Sequence, residues 1–356
     1  MSSTALLDIL ALCCAALIGF AAHRASLCNV RAVAEVMTTR SAHMLWSLLQ
    51  AVVWMVTLTG VLVLGFGLVP QPALARTPML LALAGGLLFG IGAAVNGGCS
   101  LSTLTRLADG HIGMAATLSG FALGVATWLA VPAVGWQAAL TPLPSPWLRW
   151  PDLAPGLLAL LLAWALHRAW GLWQLARARP QGPRKPWLLA PTYPLSVSAA
   201  LMGLAAGLLY ATQGAWSYTS YLRTEVLHTL GDVPAASAWH GGLVLSLVAG
   251  MLASSLQRRT FAWTRPQRLG GWLRHAGGGV LMGAGAAMVP GGNDTLLLGS
   301  LPTITLAAVG TYLCMLMGIA LVLWMMRVAR APMPALACSA SGCDEQSASP
   351  TKPAPR

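Results

Sequence analysis

The sequence predicts an all-α polytopic membrane protein: about nine transmembrane helices plus short re-entrant half-helices, arranged as two inverted pseudo-symmetric repeats. Composition, the spacing of apolar runs and the placement of cations carry that prediction. Of the 356 residues, 56% are hydrophobic and only 8% are charged, at a mean hydropathy of +0.68. Soluble domains carry about 25% charged residues, so this chain is composed for lipid. Crossing about 30 Å of hydrocarbon takes roughly 20 apolar residues. Runs of about that length fall at 4–22, 44–69, 79–96, 112–136, 154–172, 192–211, 237–255, 276–290 and 304–326. Nothing basic precedes the first run and no small-residue cleavage site follows it, so it is expected to be retained as a span rather than removed as a signal peptide.

The cations test the span count. All 21 Lys and Arg except Arg76, Arg149 and Arg223 fall in the alternate segments 23–43, 97–111, 168–191 and 256–275 and in the chain from 327 onward. A wrong number of spans would scramble that alternation. The positive-inside rule then puts the N-terminus outside and the C-terminus in the cytoplasm of a bacterial inner membrane. Basic charge is thus an orientation signal, and nucleic acid is not expected as a partner.

Two pairs of segments look alike. GIGAAVNGGCS, from Gly90, resembles GAGAAMVPGGND, from Gly283, and GFAAHRASLCNVR, from Gly19, loosely resembles GLLYATQGAWSYTSYLR, from Gly207. Four spans on either side of a fifth make two units of opposite sense. We therefore expect one permease domain over 1–330, made of a first repeat (1–136), a spacer helix with a basic loop (137–191) and an inverted second repeat (192–329). A flexible cytoplasmic tail is expected over 330–356. Inverted repeats with glycine-interrupted helices at matching positions mark a pathway at the bilayer midplane. Backbone freed from a helix is tolerated at that depth only inside protein or beside water. The segments following Gly97-Gly98 and Gly291-Gly292 are too short to span, so they read as half-helices whose N-terminal N–H groups favour an anion.

The candidate pathway residues follow from those interruptions. Cys28 lies in a polar break after the first run, and Cys99 follows the first glycine pair; Asn96, Gly97, Gly98, Ser100, Gly291, Gly292, Asn293 and Asp294 complete the two loops. A thiol supplies a weak S–H donor and a polarizable contact for a soft, sulfur-bearing ligand. Neither cysteine has the Cys-x-x-Cys spacing of a disulfide-exchange enzyme. Arg24, Arg31, Trp216, Ser217, Tyr218 and Arg223 are candidate mouth residues; the arginines, with Arg106, serve equally as snorkelling anchors. His23 and His240 read as packing or interface residues, and most tryptophans as interfacial anchors. Cys13, Cys14 and Cys314 fall inside spans, where a thiol is ordinarily a small hydrophobe. Cys338 and Cys343 sit in the polar tail, too sparse a pair to indicate a metal. Neither enzymatic activity, a cofactor nor a resident metal is expected.

At ASLCNVR, GAAVNGGCS and GAAMVPGGNDTLLLG the chain resembles the YeeE/YedE family of sulfur-compound permeases, over most of residues 1–330. The resemblance implies a helical inner-membrane permease of about nine spans with inverted halves, in which thiosulfate passes a short series of cysteines. Cys28 and Cys99 match the first and central cysteines of that series. At the third position this sequence has Asn293, followed by Asp294, where the family's thiosulfate permeases have cysteine. The expected partners are a small sulfur-containing anion and the lipid bilayer. The alternative is a membrane thiol or persulfide carrier, or a selenium-compound transporter, working with a small cytoplasmic sulfur-carrier protein or sulfurtransferase.

Overall fold

The computed structural model describes residues 3–68, 72–76, 79–130, 140–177, 190, 192–231, 233–289, 291–331, 336–339 and 342–345. Each predicted apolar run coincides with a long helix: α1 (Ser3–Ala25), α3 (His43–Gly60), α4 (Met79–Asn96), α6 (Gly113–Ala130), α8 (Ala154–Arg177), α9 (Leu195–Gln213), α11 (Ala238–Arg258), α12 (Leu269–Met288) and α14 (Leu306–Val328). Residues 131–136, the end of the fourth run, lie outside the described residues, as does most of the basic loop at 178–191. Among the described residues seven helical stretches are long and apolar enough to cross a bilayer. The helices α6 and α12 are not among them. The apolar part of α6 is 113–128, and α12 carries Arg274, His275 and seven glycines, which lower its hydropathy.

Lipid as solvent explains the surface. Leu80, Leu245, Leu306, Leu313, Met317 and Trp324 are exposed on the outside of the bundle, while Asn96, Glu35, Ser254 and Thr311 are buried within it. That arrangement reverses the usual soluble pattern. Hydroxyls within the spans return to their own backbone: Thr57, Thr59, Thr212 and Thr311 each donate to the carbonyl four residues earlier, which removes an unsatisfied donor from hydrocarbon.

Shorter helices fill the breaks. They are α2 (Asn29–Thr39), α5 (Ser100–Ala108) and α10 (Tyr218–Thr229), together with α13 (Asn293–Thr295), which runs on through a π turn (Leu296–Ser300) and a 3-10 turn (Leu301–Thr303). At 1.5 Å per residue, α5 extends about 14 Å, half of what a span needs. The sequence long, short, long, long, short, long thus occurs twice, in α1–α6 and again in α9–α14, with α8 and the one-turn α7 (Pro146–Arg149) between.

Helix packing follows the same duplication. The principal pairs are α12 with α6 and α4 with α14, α3 with α9 and α11 with α1, plus α4 with α12 and α1 with α9. Exchanging each helix with its counterpart maps this set onto itself. The close approaches match too. A Cβ on Gly90 would stand 2.0 Å from the Met315 carbonyl oxygen, and one on Gly283 2.0 Å from that of Phe121. A Cβ on Gly92 would lie 2.7 Å from the Gly278 carbonyl oxygen, and one on Gly285 2.6 Å from that of Gly85. Only residues without a Cβ permit backbones this near.

Two small antiparallel ladders lie at the periphery. Strand β1 (Ala73–Arg76) pairs with β2 (Leu140–Leu143), and β3 (Leu336–Ser339) pairs with β4 (Gly342–Glu345), with Cys338 and Cys343 as backbone register partners. Part of the expected flexible tail is therefore a hairpin, and β3 lies beside α2.

Candidate functional site

Four short helical segments begin near the centre of the bundle. Cys28 is the N-cap of α2, Cys99 of α5, Ser217 of α10 and Gly292 of α13. All four are buried, Cys28 at 2% and Cys99 at 1% exposure. The local causes are in the sequence. Helix α1 ends with Ser26 in the left-handed region, bonded N–H to carbonyl from Ser26 to His23 and from Leu27 to Ala22. Helix α4 ends the same way at Gly97 (φ +79°), with Gly97 N–H donating to Ala94 and Gly98 N–H to Ala93. These are paired closures of a helix C-terminus. They let the chain turn inward and start a new helix from the interior.

The second glycine of each pair is required by space. A Cβ on Gly98 would meet Ser102 Oγ at 2.8 Å, and one on Gly292 would lie 2.9 Å from the Phe89 ring. At Gly291 both constraints act, since φ is +135° and Thr295 Oγ1 would be 2.0 Å away. Pro290 lies outside the described residues.

The two thiol loops touch. Cys99 N–H donates to Cys28 Sγ at 3.4 Å. Beside them Asn29 Nδ2 donates to Asn293 Oδ1, and Asn29 Oδ1 accepts from the Tyr312 hydroxyl at 2.9 Å. Asp294 Oδ1 accepts from Thr219 Oγ1 at 2.5 Å and Ser100 Oγ at 3.3 Å, and its Oδ2 accepts from Thr219 N–H at 3.1 Å. Thr219 Oγ1 in turn accepts from Gly292 N–H at 2.8 Å. Cys28, Asn29, Cys99, Asn293 and Asp294 form the polar wall of a cavity of about 20 Å³, closed on its other side by Leu48, Met202, Leu297 and Leu298. That volume holds about one water.

Of the candidate pathway residues, the structure brings Cys28, Cys99, Ser100, Asn293, Asp294 and both glycine pairs together. Asn96 is close by but engaged: its Nδ2 donates to Gly98 O and Thr103 Oγ1, and its Oδ1 meets Thr117 Oγ1 and His275 Nδ1. It braces the glycine loop. The expected mouth residues divide. Arg31 lines a cavity at the Arg-rich end of the bundle. Arg24 is buried, donating from Nε to Ser254 Oγ at 3.0 Å and also to Gln257 and the Ala190 carbonyl, with its guanidinium over the Phe20 and Tyr193 rings. It clamps α1 to α11 and is not positioned as a mouth residue. Trp216 and Tyr210 line a small apolar pocket between α1 and α9. Ser217 caps α10, accepting from Ser220 N–H at 3.2 Å, and Tyr218 is buried beside it. Arg223 is half-buried on α10. Cys13 is exposed on the outside of α1, Cys14 is buried in α1 and Cys314 half-buried in α14.

Sequence reasoning missed Asn29, Thr219, Tyr312 and Asp109. Asn29 adjoins Cys28 and Thr219 adjoins the recognised Trp216–Tyr218 stretch, so adjacency was the available signal. Asp109 ends α5 and holds the Arg-rich end together: its Oδ1 accepts from His23 Nε2 at 3.0 Å, Ser255 Oγ at 2.7 Å and Thr260 Oγ1 at 2.6 Å. Burial opposes the Asp109 charge, but those three donors outweigh it and hold the carboxyl well below the usual range. His23 is thus a hydrogen-bond partner of Asp109 as well as a packing residue.

No curated protein matches the chain closely enough to be counted a relative. The sulphur transport family model matches residues 24–321, which includes both thiol loops, both glycine pairs and every short helix just described. The chain belongs to the sulphur transport family, and its helical, lipid-facing architecture makes it a multi-pass membrane transporter of a sulfur compound.

Proposed function

We propose that the protein is a permease for a small, thiosulfate-like sulfur anion, guided past Cys28 and Cys99 at the midplane of a nine-span bundle with inverted halves. The observation that carries this is the meeting of two buried helix N-caps, Cys28 of α2 and Cys99 of α5, at one cavity that Asn293 and Asp294 also line. Each N-terminus contributes about half a positive charge and unsatisfied N–H donors, so a desolvated anion is stabilised there. The matched packing pairs and glycine contacts support a two-fold relation between the halves. With the N-terminus outside, the Arg-rich end faces the cytoplasm.

Chemistry at the cavity suits a soft sulfur atom. Two thiols offer weak donors and polarizable surface, and Asn293 adds an amide already oriented by Asn29. Asp294 would repel an anion were its charge bare, but its oxygens accept three hydrogen bonds from Thr219 and Ser100. The cavity as it stands holds only about one water, so passage requires the half-helices to part. The test is growth of a sulfur-auxotrophic bacterium expressing the protein on thiosulfate, sulfite, sulfate or selenium sources. Growth on thiosulfate, absent with Cys99→Ala protein of equal abundance, is the expected result; equal growth with both proteins overturns the reading.

A further inference from the structure

A cavity of about 740 Å³ lies at the Arg-rich end. Arg31 from α2, Arg106 from α5, Arg258 from α11, Arg265 from the following loop and Arg274 and His275 from α12 all line it. Five guanidinium-bearing side chains from five separate segments therefore meet in one chamber. No local basic run explains this; the fold assembles it. One carboxylate shares the lining, Asp109, and it is already bonded to His23, Ser255 and Thr260. The chamber thus carries a strong positive surplus, focused by the surrounding low-dielectric bundle.

Its floor reaches the thiol loops. Ser26, two residues before Cys28, lines it. The Arg106 guanidinium lies against the Gly97-Gly98 backbone, 3.9 Å from where a Cβ would stand on either glycine. A second pocket, which shares Leu298 with the central cavity, differs. Lined by Ile18, Leu209, Tyr210, Trp216 and Leu298, it is about 10 Å³ and contains no charged residue.

We propose that this chamber is an anion-binding site in its own right, selective for a divalent sulfur oxyanion, where the ion released past Cys99 is held before it leaves. Its location as an exit chamber rests on the permease reading, whereas its binding chemistry does not. Planar guanidinium groups present paired N–H donors that match oxyanion geometry and favour it over a spherical monovalent ion. At about 30 Å³ per water the chamber's volume accommodates a hydrated ion, so binding is expected to be weak enough for release.

The experiment is isothermal titration calorimetry on the full-length protein in detergent, with sodium thiosulfate, sulfate and phosphate as titrants and ionic strength fixed with sodium chloride. Saturable binding of thiosulfate or sulfate is expected, weakened at least tenfold in Arg274→Ala and in Arg265→Ala and unchanged in Cys13→Ala, whose side chain is exposed on the outside of α1. Both arginines are exposed, and Arg265 is on a loop, so at least one variant should fold; thermal unfolding of each variant checks this. No heat beyond the chloride control, equal affinity in folded arginine variants, or binding of phosphate alone would each overturn the proposal. If the wild-type protein binds the anion through these arginines but moves no sulfur anion in cells, the permease reading fails and the chamber stands.

Discussion

The glycine loop before α5 and the glycine loop before α13 solve one backbone problem with different chemistry. The first ends α4 with Gly97 in the left-handed region and delivers Cys99 onto a regular helix of nine residues. The second delivers Asn293, and then a carboxylate, onto a helix that changes at once to π and 3-10 turns. Both loops bury their N-caps beside the same cavity. A positive-φ glycine followed by a buried N-cap is thus shared between the halves, while the side chain offered to the ligand is not.

Breaking the thiol side should have the largest effect. Cys99→Ala is expected to lower thiosulfate uptake about 10²-fold or more, the scale of removing one preorganised donor from a site that stabilises an anion, without changing the unfolding temperature. Radiolabelled sulfur uptake normalised to protein abundance measures it. Gly291→Ala should come next, and chiefly through folding: a left-handed backbone costs a non-glycine residue about 1–2 kcal/mol, and the Thr295 contact adds to that. Gly97→Ala shares the φ penalty without the clash. Its loss of thermal stability should therefore be the smaller of the two, and the reverse order would contradict the geometry.

Asn293→Cys sharpens the comparison from the other direction. It places a thiol on both sides of the cavity and removes the amide bond to Asn29. We expect a several-fold rise in thiosulfate uptake relative to sulfite uptake, read as a ratio so that changes in abundance cancel. An unchanged ratio would mean that the asymmetry does not set selectivity. A smaller effect concerns Asp109. Its folded pKa is depressed, so the stability it contributes is present above its unfolded value of about 3.9 and is lost as pH falls further. Asp109→Asn should lower stability at neutral pH by about 1 kcal/mol, allowing for partial exposure, and should flatten the loss of stability between pH 5 and 3 in detergent unfolding scans. Cys13→Ala, on the exposed face of α1, should change nothing measurable in uptake.

Much of the fold was legible because hydrocarbon imposes a one-dimensional rule. Apolar run length places α1, α3, α4, α8, α9, α11 and α14 directly. The rule reads α6 and α12 less well: close backbone packing fills α12 with glycines, and Arg274 and His275 extend it into the polar chamber. The thiol loops were legible because Gly-Gly pairs and polar breaks interrupt that rule. What could not be read was lateral assembly. Nothing in the order of residues says that Asn29 meets Asn293 across 264 positions, or that five separated arginines share one chamber. Arg24 illustrates the same limit: its position suggested a mouth, yet Ser254, Gln257 and two rings enclose it.

The glycine-mediated contact of α4 with α12 has a mechanical consequence. Gly85, Gly92, Gly278 and Gly285 set each backbone into the other so closely that neither helix can advance by a residue without a collision. Sliding of this pair is disfavoured by that packing. On the proposed permease reading, opening would then fall to the short segments hung from its ends rather than to two halves that alternate as bodies.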